Sequence, residues 1–271
     1  MSRPMWLVAL VRAGFPGRFL LARMTGWKPF SNLLEKWFFE GDDMVFLPAD
    51  RVVRVDRPVD DPGQTVLPSQ MVEHFIKEAN YHWIMHTCIC REASHCRDYP
   101  VDYGCLFLGQ AALGINPALG RRVTQDEALQ HVKKCGDAGL VHLIGRNKLD
   151  TVWLGIGPVN RLLTICSCCP CCCLWKMLPV ISTDISSKVK KLPGVVVKVI
   201  TDACTGCGIC GDGVCFVEAI SMVDGTAVIG DRCRGCGRCA ATCPMDAIKV
   251  EYDSTTIGSS IGAIGSLVDV K

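Results

Sequence analysis

Asp202-Ala-Cys204-Thr-Gly-Cys207-Gly-Ile-Cys210 and Asp231-Arg-Cys233-Arg-Gly-Cys236-Gly-Arg-Cys239 match at an offset of 29 residues, and their reading decides the fold of the C-terminal part of this chain. Each run has a fourth cysteine downstream, Cys215 in the first and Cys243, followed by Pro244, in the second. Val217-Glu-Ala-Ile220 then matches Met245-Asp-Ala-Ile248 at an offset of 28, so the segment is an internal duplication with a one-residue insertion. The insertion lies in Gly211-Asp-Gly-Val214, four residues where three separate Cys239 from Cys243. Three thiols at successive i+3 positions on a loop converge on one face, and a fourth closes a ligand set around a metal centre. Gly206, Gly208, Gly235 and Gly237 permit the tight turns and leave N–H groups free to point at sulfur. Each half is predicted as strand, cysteine loop, short helix and strand.

With these residues in view, positions 195–252 resemble the bacterial-type two-[4Fe-4S] ferredoxin domain. The resemblance covers about a fifth of the chain. It implies two [4Fe-4S] clusters with crossed ligation, in which each fourth cysteine serves the other half's cluster. One cluster would take Cys204, Cys207, Cys210 and Cys243, and the other Cys233, Cys236, Cys239 and Cys215. It also implies electron transfer. The departure is Phe216, which stands where the pattern has the proline present as Pro244. With the inserted residue, it marks Cys215 as the less regular corner and predicts a shifted potential there. Zinc is disfavoured at these runs, because zinc sites use two separated C-x-x-C pairs per metal.

The chain has 271 residues, 19 of them cysteine, and a formal net charge of +2. Such cysteine usage fits either a small secreted disulfide scaffold or a metalloprotein of a reducing compartment. The clustered C-x-x-C and C-C spacings, the odd total and the lack of a leader pattern favour a cytoplasmic metalloprotein. Ten cysteines form two groups upstream: Cys88, Cys90, Cys96 and Cys105, then Cys166, Cys168, Cys169, Cys171, Cys172 and Cys173. Six thiols in eight residues are too many for core packing alone. A subset of the ten is expected to hold at least one further metal ion or iron–sulfur cluster. Cys135, in the middle of a predicted helix, reads as a packed thiol. His82 and His86 lie at i and i+4 of a predicted helix, and a structural role is favoured for them over metal ligation. Arg91 and Arg97 either offset cluster charge or are solvated.

Over residues 70–250 the chain is similar to a group of Cys-rich ferredoxin-family proteins of anaerobes, in which an upstream domain precedes the two-cluster module. That similarity implies redox chemistry and names no substrate. Cys169 is followed by Pro170, so the Cys-Cys-Gly signature of heterodisulfide reductases is absent. No C-x-x-x-C-x-x-C run or G-x-G-x-x-G loop after a strand stands out, which leaves no support for radical-SAM, flavin or nicotinamide chemistry.

The fold class expected is α+β. A ferredoxin-like β-α-β repeat at the C-terminus follows a mainly helical Cys-rich domain with a winged-helix-like element. The boundaries read as a basic, aromatic-rich helical segment over 1–60, a Cys-rich domain over 61–180 and a linker over 181–194. The two-cluster domain over 195–252 and a tail over 253–271 complete the chain. Residues 1–41 are predicted helical, broken at Gly14–Gly17 and at Lys28-Pro29. They carry six cations against two anions, with eight Trp and Phe interspersed. That segment suits packing on the protein, docking of a redox partner or peripheral contact with an anionic membrane. Nothing in it approaches the ~20 apolar residues that span a bilayer. Residues 44–57 alternate as a strand, Asp60-Asp-Pro-Gly63 reads as a turn, and 69–87 as a helix capped by Ser69. Thr124-Gln-Asp-Glu127 is a capping box. The helix it starts ends near Ala138, and strands at 140–144 and 151–154 would give the winged-helix pattern. No basic recognition helix accompanies it, so nucleic-acid binding is not expected. The function expected is electron transfer through two clusters to the upstream metal site or to a partner redox enzyme. The alternatives are an oxidoreductase with a substrate-binding cluster upstream, and a redox-sensing regulator. No catalytic residue is assigned.

Overall fold

The computed structural model describes residues 2–55 and 67–271. The turn expected at 60–63 lies outside the described residues. The N-terminal segment is helical with the two breaks expected: α1 (Met5–Gly14), α2 (Arg18–Met24) and α3 (Lys28–Leu34), with Pro16 in the single turn that joins α1 to α2. Contrary to the length expected, Met5–Met24 is a helical run of 20 residues, long and apolar enough to cross a bilayer by length and composition. The interruption at Arg12 does not break the helix, and core helices and leader segments meet the same measure.

The alternating stretch after Gly41 divides into β1 (Asp43–Phe46) and β2 (Val53–Val55), which enter different sheets. Helix α4 (Pro68–Glu78) follows, then β3 (His82–Met85), α5 (Ile89–Ala93), β4 (Leu106–Leu108), β5 (Gly120–Val123), α6 (Gln125–Asp137), β6 (Val141–Arg146), α7 (Lys148–Leu154) and β7 (Leu163–Cys168). After α8 (Thr183–Ser186) comes β8 (Val189–Lys191). These strands form one seven-stranded mixed sheet in the order β5-β3-β4-β7-β6-β1-β8. The upstream region is thus built on a sheet, which corrects the mainly helical expectation. The apolar runs of β4 and β7 are buried on both faces and carry no period-2 alternation, so they lack the pattern that marks a half-buried strand in sequence.

Two local expectations fail for tertiary reasons. The helix expected to reach residue 87 ends at Glu78, so His82 and His86 do not share a helix face. His82 lies on β3 with its Nε2 2.7 Å from the Ile76 carbonyl, a structural role. The strand expected at 151–154 is instead helix α7. Its first N–H, from Lys148, donates to Asp42 Oδ1 at 2.6 Å, a cap from 106 residues away that sequence spacing cannot show. With α7 in that place, β6 pairs with β7 and β1 in the large sheet, and residues 140–154 form no wing. The capping box at Thr124 does form: Glu127 N donates to Thr124 Oγ1 at 3.2 Å, and Thr124 N to Glu127 Oε2 at 2.8 Å.

The C-terminal part contains β9 (Val195–Val199), a hairpin of β10 (Ile220–Val223) and β11 (Thr226–Ile229), α9 (Arg238–Thr242) and β12 (Ile248–Tyr252). β9 and β12 pair antiparallel, and β2 adds in parallel on the other side of β12. The second half has its short helix, α9, whereas Cys210–Ala219 makes turns, with Gly213 at φ +65 inside the four-residue insertion. The expected linker is not loose, since β8 within it pairs in parallel with β1. The expected tail forms α10 (Thr256–Leu267), whose Ile257 and Ile264 enter the main core with Val268 and Val270. Val195, Val250 and Tyr252 of the C-terminal sheet belong to the same core as Met71, Phe75 and Ile165.

Candidate metal centres

The eight C-terminal cysteines gather into two sets of four. Cys204, Cys207, Cys210 and Cys243 line one cavity, and Cys215, Cys233, Cys236 and Cys239 line another. Cys210 and Cys239 belong to one small apolar cluster with Ala227 and Ile248, which lies between the two cavities. Gly206 makes the first loop feasible: its φ is +71, and a Cβ there would lie 2.3 Å from the Gly225 carbonyl oxygen. Gly235, at φ +66, does the same for the second, where a Cβ would lie 2.7 Å from Lys191 Cγ.

The sulfurs accept backbone N–H groups. Gly235 N lies 3.4 Å from Cys233 Sγ, Ala219 N 3.3 Å from Cys215 Sγ, and Ala247 N 3.3 Å from Cys243 Sγ. The last two are symmetry-equivalent across the duplication, so Cys215 keeps the contact of its counterpart despite the insertion. Phe216, the departure from the proline pattern, is buried and stacks on Phe46 of β1 with ring centroids 4.8 Å apart. It is a docking residue that seals the second cavity against the seven-stranded sheet.

The two sets differ in solvation. Cys207 is exposed, and N–H groups of Ala227 and Gly206 hold the Cys204 thiol below its ordinary range. Burial pushes Cys233 and Cys236 up, and Cys239 up to about 12. Buried thiols of this kind become thiolates when a bound cation replaces the proton. The donor set, the N–H···S contacts and the pairing of four sulfurs per cavity fit iron–sulfur ligation.

Of the upstream cysteines, four come together tightly. The Sγ atoms of Cys96, Cys169, Cys171 and Cys172 all lie within 4.8 Å of one another. Cys96–Cys171 is 3.6 Å and Cys171–Cys172 3.5 Å. Four thiolates at about 2.3 Å from one tetrahedral metal have edges of about 3.8 Å. A cubane spreads its ligands around a body several atoms wide and needs longer edges, so these sulfurs are spaced for a single ion. Both halves of the set have N–H groups turned onto sulfur: Cys172 N donates to Cys169 Sγ at 3.3 Å, and Asp98 and Tyr99 N–H groups lower the Cys96 thiol against the effect of its burial.

The other six, Cys88, Cys90, Cys105, Cys166, Cys168 and Cys173, line a further cavity, which Cys169 of the first set borders as well. Cys135 is fully buried beside His131, its Sγ 3.7 Å from Nε2, and burial pushes its thiol up to about 11, which matches a packed thiol. Arg91 is not solvated. It is the largest fully buried side chain, 0% exposed, donating from Nη1 to the Ser167 carbonyl at 2.8 Å and from Nη2 to the Tyr103 carbonyl. Arg97 is exposed. Sequence reading passed over Arg238. It is 7% exposed and donates to the Cys168 carbonyl, bridging the Cys236 loop and the upstream thiols. Its only sequence signal was its place inside the second cysteine run, where the first run has Ile209.

A family model for the LdpA Fe-S cluster-binding domain matches residues 210–253, less than a fifth of the chain. The match includes six of the eight C-terminal cysteines and omits Cys204 and Cys207. Comparison with curated proteins and with solved structures finds no match. The matched domain and the gathered thiols make this an iron–sulfur protein.

Proposed function

We propose that this protein is an electron-transfer protein, or the electron-transfer subunit of a redox enzyme, with two [4Fe-4S] clusters in its C-terminal part. Cys204, Cys207, Cys210 and Cys243 would hold one, and Cys233, Cys236, Cys239 and Cys215 the other. The observation that carries this reading is the pair of four-thiol cavities linked by one apolar cluster, one at the surface and one against the Cys-rich sheet. Such clusters supply reversible one-electron chemistry at potentials set by burial and by hydrogen bonds to sulfur.

The chain's own residues give that chemistry a direction. Met222 and Met245 line the outer cavity and are exposed, with Ile209 exposed beside Cys210. An apolar rim around an exposed thiol suits a weak, transient contact with a redox partner protein. On the other side, Cys215, Cys233 and Cys236 pack against the apolar cluster that contains Cys168, Cys173 and Trp175, so the inner set and the upstream thiols border one core. The Cys96 set would hold one structural metal ion beyond them.

Anaerobic reconstitution followed by iron analysis tests the reading. Two cubanes require about eight irons per chain and a chromophore bleached by dithionite. Little iron and no reducible chromophore would sink it. The regulator alternative loses its motive, because the winged-helix pattern that suggested it is occupied by α7.

A further inference from the structure

The six thiols that are neither in the C-terminal sets nor in the Cys96 set surround one cavity of about 250 Å³, which Cys169 of the Cys96 set borders too. They come from four places in the fold. Cys88 and Cys90 lie at the start of α5, Cys105 directly before β4, Cys166 and Cys168 on β7, and Cys173 after it. Alternation along a strand puts Cys166 and Cys168 on the same face of β7. The pairing of β7 with β4, in which Leu106 faces Ile165, brings Cys105 beside Cys166, with sulfurs 3.6 Å apart. Cys88 with Cys90 and Cys168 with Cys173 form the other two thiol contacts. At 3.6 Å the Cys105–Cys166 contact is well beyond the ~2.05 Å of a disulfide.

The charges around this cavity are one-sided. Arg91 and Arg18 line it, and Arg238 reaches its rim through the Cys168 carbonyl. Among the described residues no carboxylate pairs with Arg91 or Arg238, and Arg91 Nε, Arg238 Nε and Arg238 Nη1 are buried with no partner. Asp150 is the carboxylate on the wall, and its oxygens are taken up by Asn147, Thr164 and Trp153 at 2.8–2.9 Å. Guanidinium groups stay protonated at any working pH, and a buried charge requires an opposite one. Six neutral thiols, or three disulfides, leave these cations unbalanced. Thiolates bound to a metal–sulfur body balance them. Phe15, Leu21, Trp153 and Trp175 add a large apolar stretch of wall, which lowers the access of water to such a centre.

We propose that this chamber is a third iron–sulfur site, with its cluster held by thiolates from Cys88, Cys90, Cys105, Cys166, Cys168 and Cys173 and charge-balanced by Arg91, Arg18 and Arg238. Its role as the next station after the Cys236 set rests on the electron-transfer reading above; its occupancy does not. The two sulfurs of a contacting pair are too close to hold one cubane together, so each of the three pairs offers one ligand and one spare. Single substitutions are therefore buffered, and variants must leave too few ligands.

The test is iron and acid-labile sulfide per chain after anaerobic reconstitution of the full chain and two variants. One replaces Cys204, Cys207, Cys233 and Cys236 by serine, and the other replaces Cys88, Cys90, Cys166 and Cys168. Labile sulfide separates a cluster from the single ion of the Cys96 set, which carries none. The expected wild-type sulfide is about twelve, falling to about a third in the first variant and to about two thirds in the second. No labile sulfide in the first variant, or disulfides among the six cysteines by mass analysis of the anaerobic protein, overturns the proposal. The first variant keeps the chamber intact, so it decides the matter even if the second fails to fold. Sulfide that survives whole in the first variant overturns the C-terminal assignment instead, and leaves the chamber standing.

Discussion

Replacing Arg238 by methionine should lower the potential of the centre at Cys215, Cys233, Cys236 and Cys239. The side chain is buried, begins two residues after Cys236, and lies close enough to Cys236, Cys168 and Cys173 to favour their thiolates. Reduction adds negative charge, which a nearby cation stabilises, so losing the cation disfavours the reduced state. One charge at about 8 Å in an effective dielectric of about 20 is worth about 2 kcal/mol. For a one-electron couple, at about 59 mV per tenfold, that is a fall of about 90 mV. Methionine keeps most of the length and apolar bulk, so the cavity wall is preserved. Potentiometric titration followed by EPR measures the shift. Arg238→Lys, which retains the charge, should stay within about 30 mV of the parent by the same relation. The outer centre at Cys207, further away and better solvated, should move by less than half as much. A change under about 20 mV in the methionine variant, or equal shifts for methionine and lysine, would refute the electrostatic reasoning.

Four other outcomes follow from the structure. Phe216→Ala should destabilise the protein by about 3–5 kcal/mol in denaturant titration, because it removes a buried ring from the contact with Phe46; a loss under about 1 kcal/mol would mean that the contact does not hold the module. Burial lifts Asp42 from 3.8 to about 7, so the native state keeps a proton that the unfolded state gives up, and stability falls as pH rises from about 4 through 7. Asp42→Asn, which keeps an acceptor for Lys148 N, should match the parent at pH 4 and exceed it by about 2–4 kcal/mol at pH 8; an equal pH profile in the two proteins contradicts this. Cys171→Ser/Cys172→Ser should remove about one metal ion per chain and no labile sulfide, and a loss of sulfide would mark the Cys96 set as a cluster. Trp6, Trp27 and Trp37, exposed by 70%, 68% and 62%, stand among basic residues, so sedimentation with anionic vesicles should weaken in the triple alanine variant and with salt; identical sedimentation of parent and variant rejects membrane contact through these rings.

The ligand sets at the C-terminus were legible because their information is local: spacing along a loop, glycines at the turns and a repeat that can be aligned with itself. The same logic reads the Thr124 capping box, in which all partners lie within four residues. What sequence could not yield depends on partners far along the chain. α7 is capped by Asp42, β8 pairs with β1 across 145 residues at Met44 and Val189, and both defeat a reading by local pattern. β4, buried throughout, has no alternation to betray it. The division of the ten upstream cysteines into four and six was likewise hidden. Cys168 and Cys169 are neighbours, yet only Cys169 joins Cys96, Cys171 and Cys172, while both line the chamber of the other thiols, so Cys169 stands between the two groups.

That division gives the duplicated segment its place in the molecule. Phe216 and Arg238 are two of the residues at which the duplication breaks its own symmetry, since their counterparts are Pro244 and Ile209. Both breaks fall on the side of the inner cavity, and both contact the Cys-rich part: Phe216 through Phe46, Arg238 through the Cys168 carbonyl. The outer cavity has neither, and its rim of Met222, Met245 and Ile209 faces solvent. A free-standing two-centre module has no need of such asymmetry. Here the apolar contact fixes the module against the sheet, and the buried cation ties the inner thiols to the next group. The irregular Cys215 corner is therefore the junction between the module and the rest of the chain, where a proline would supply neither contact.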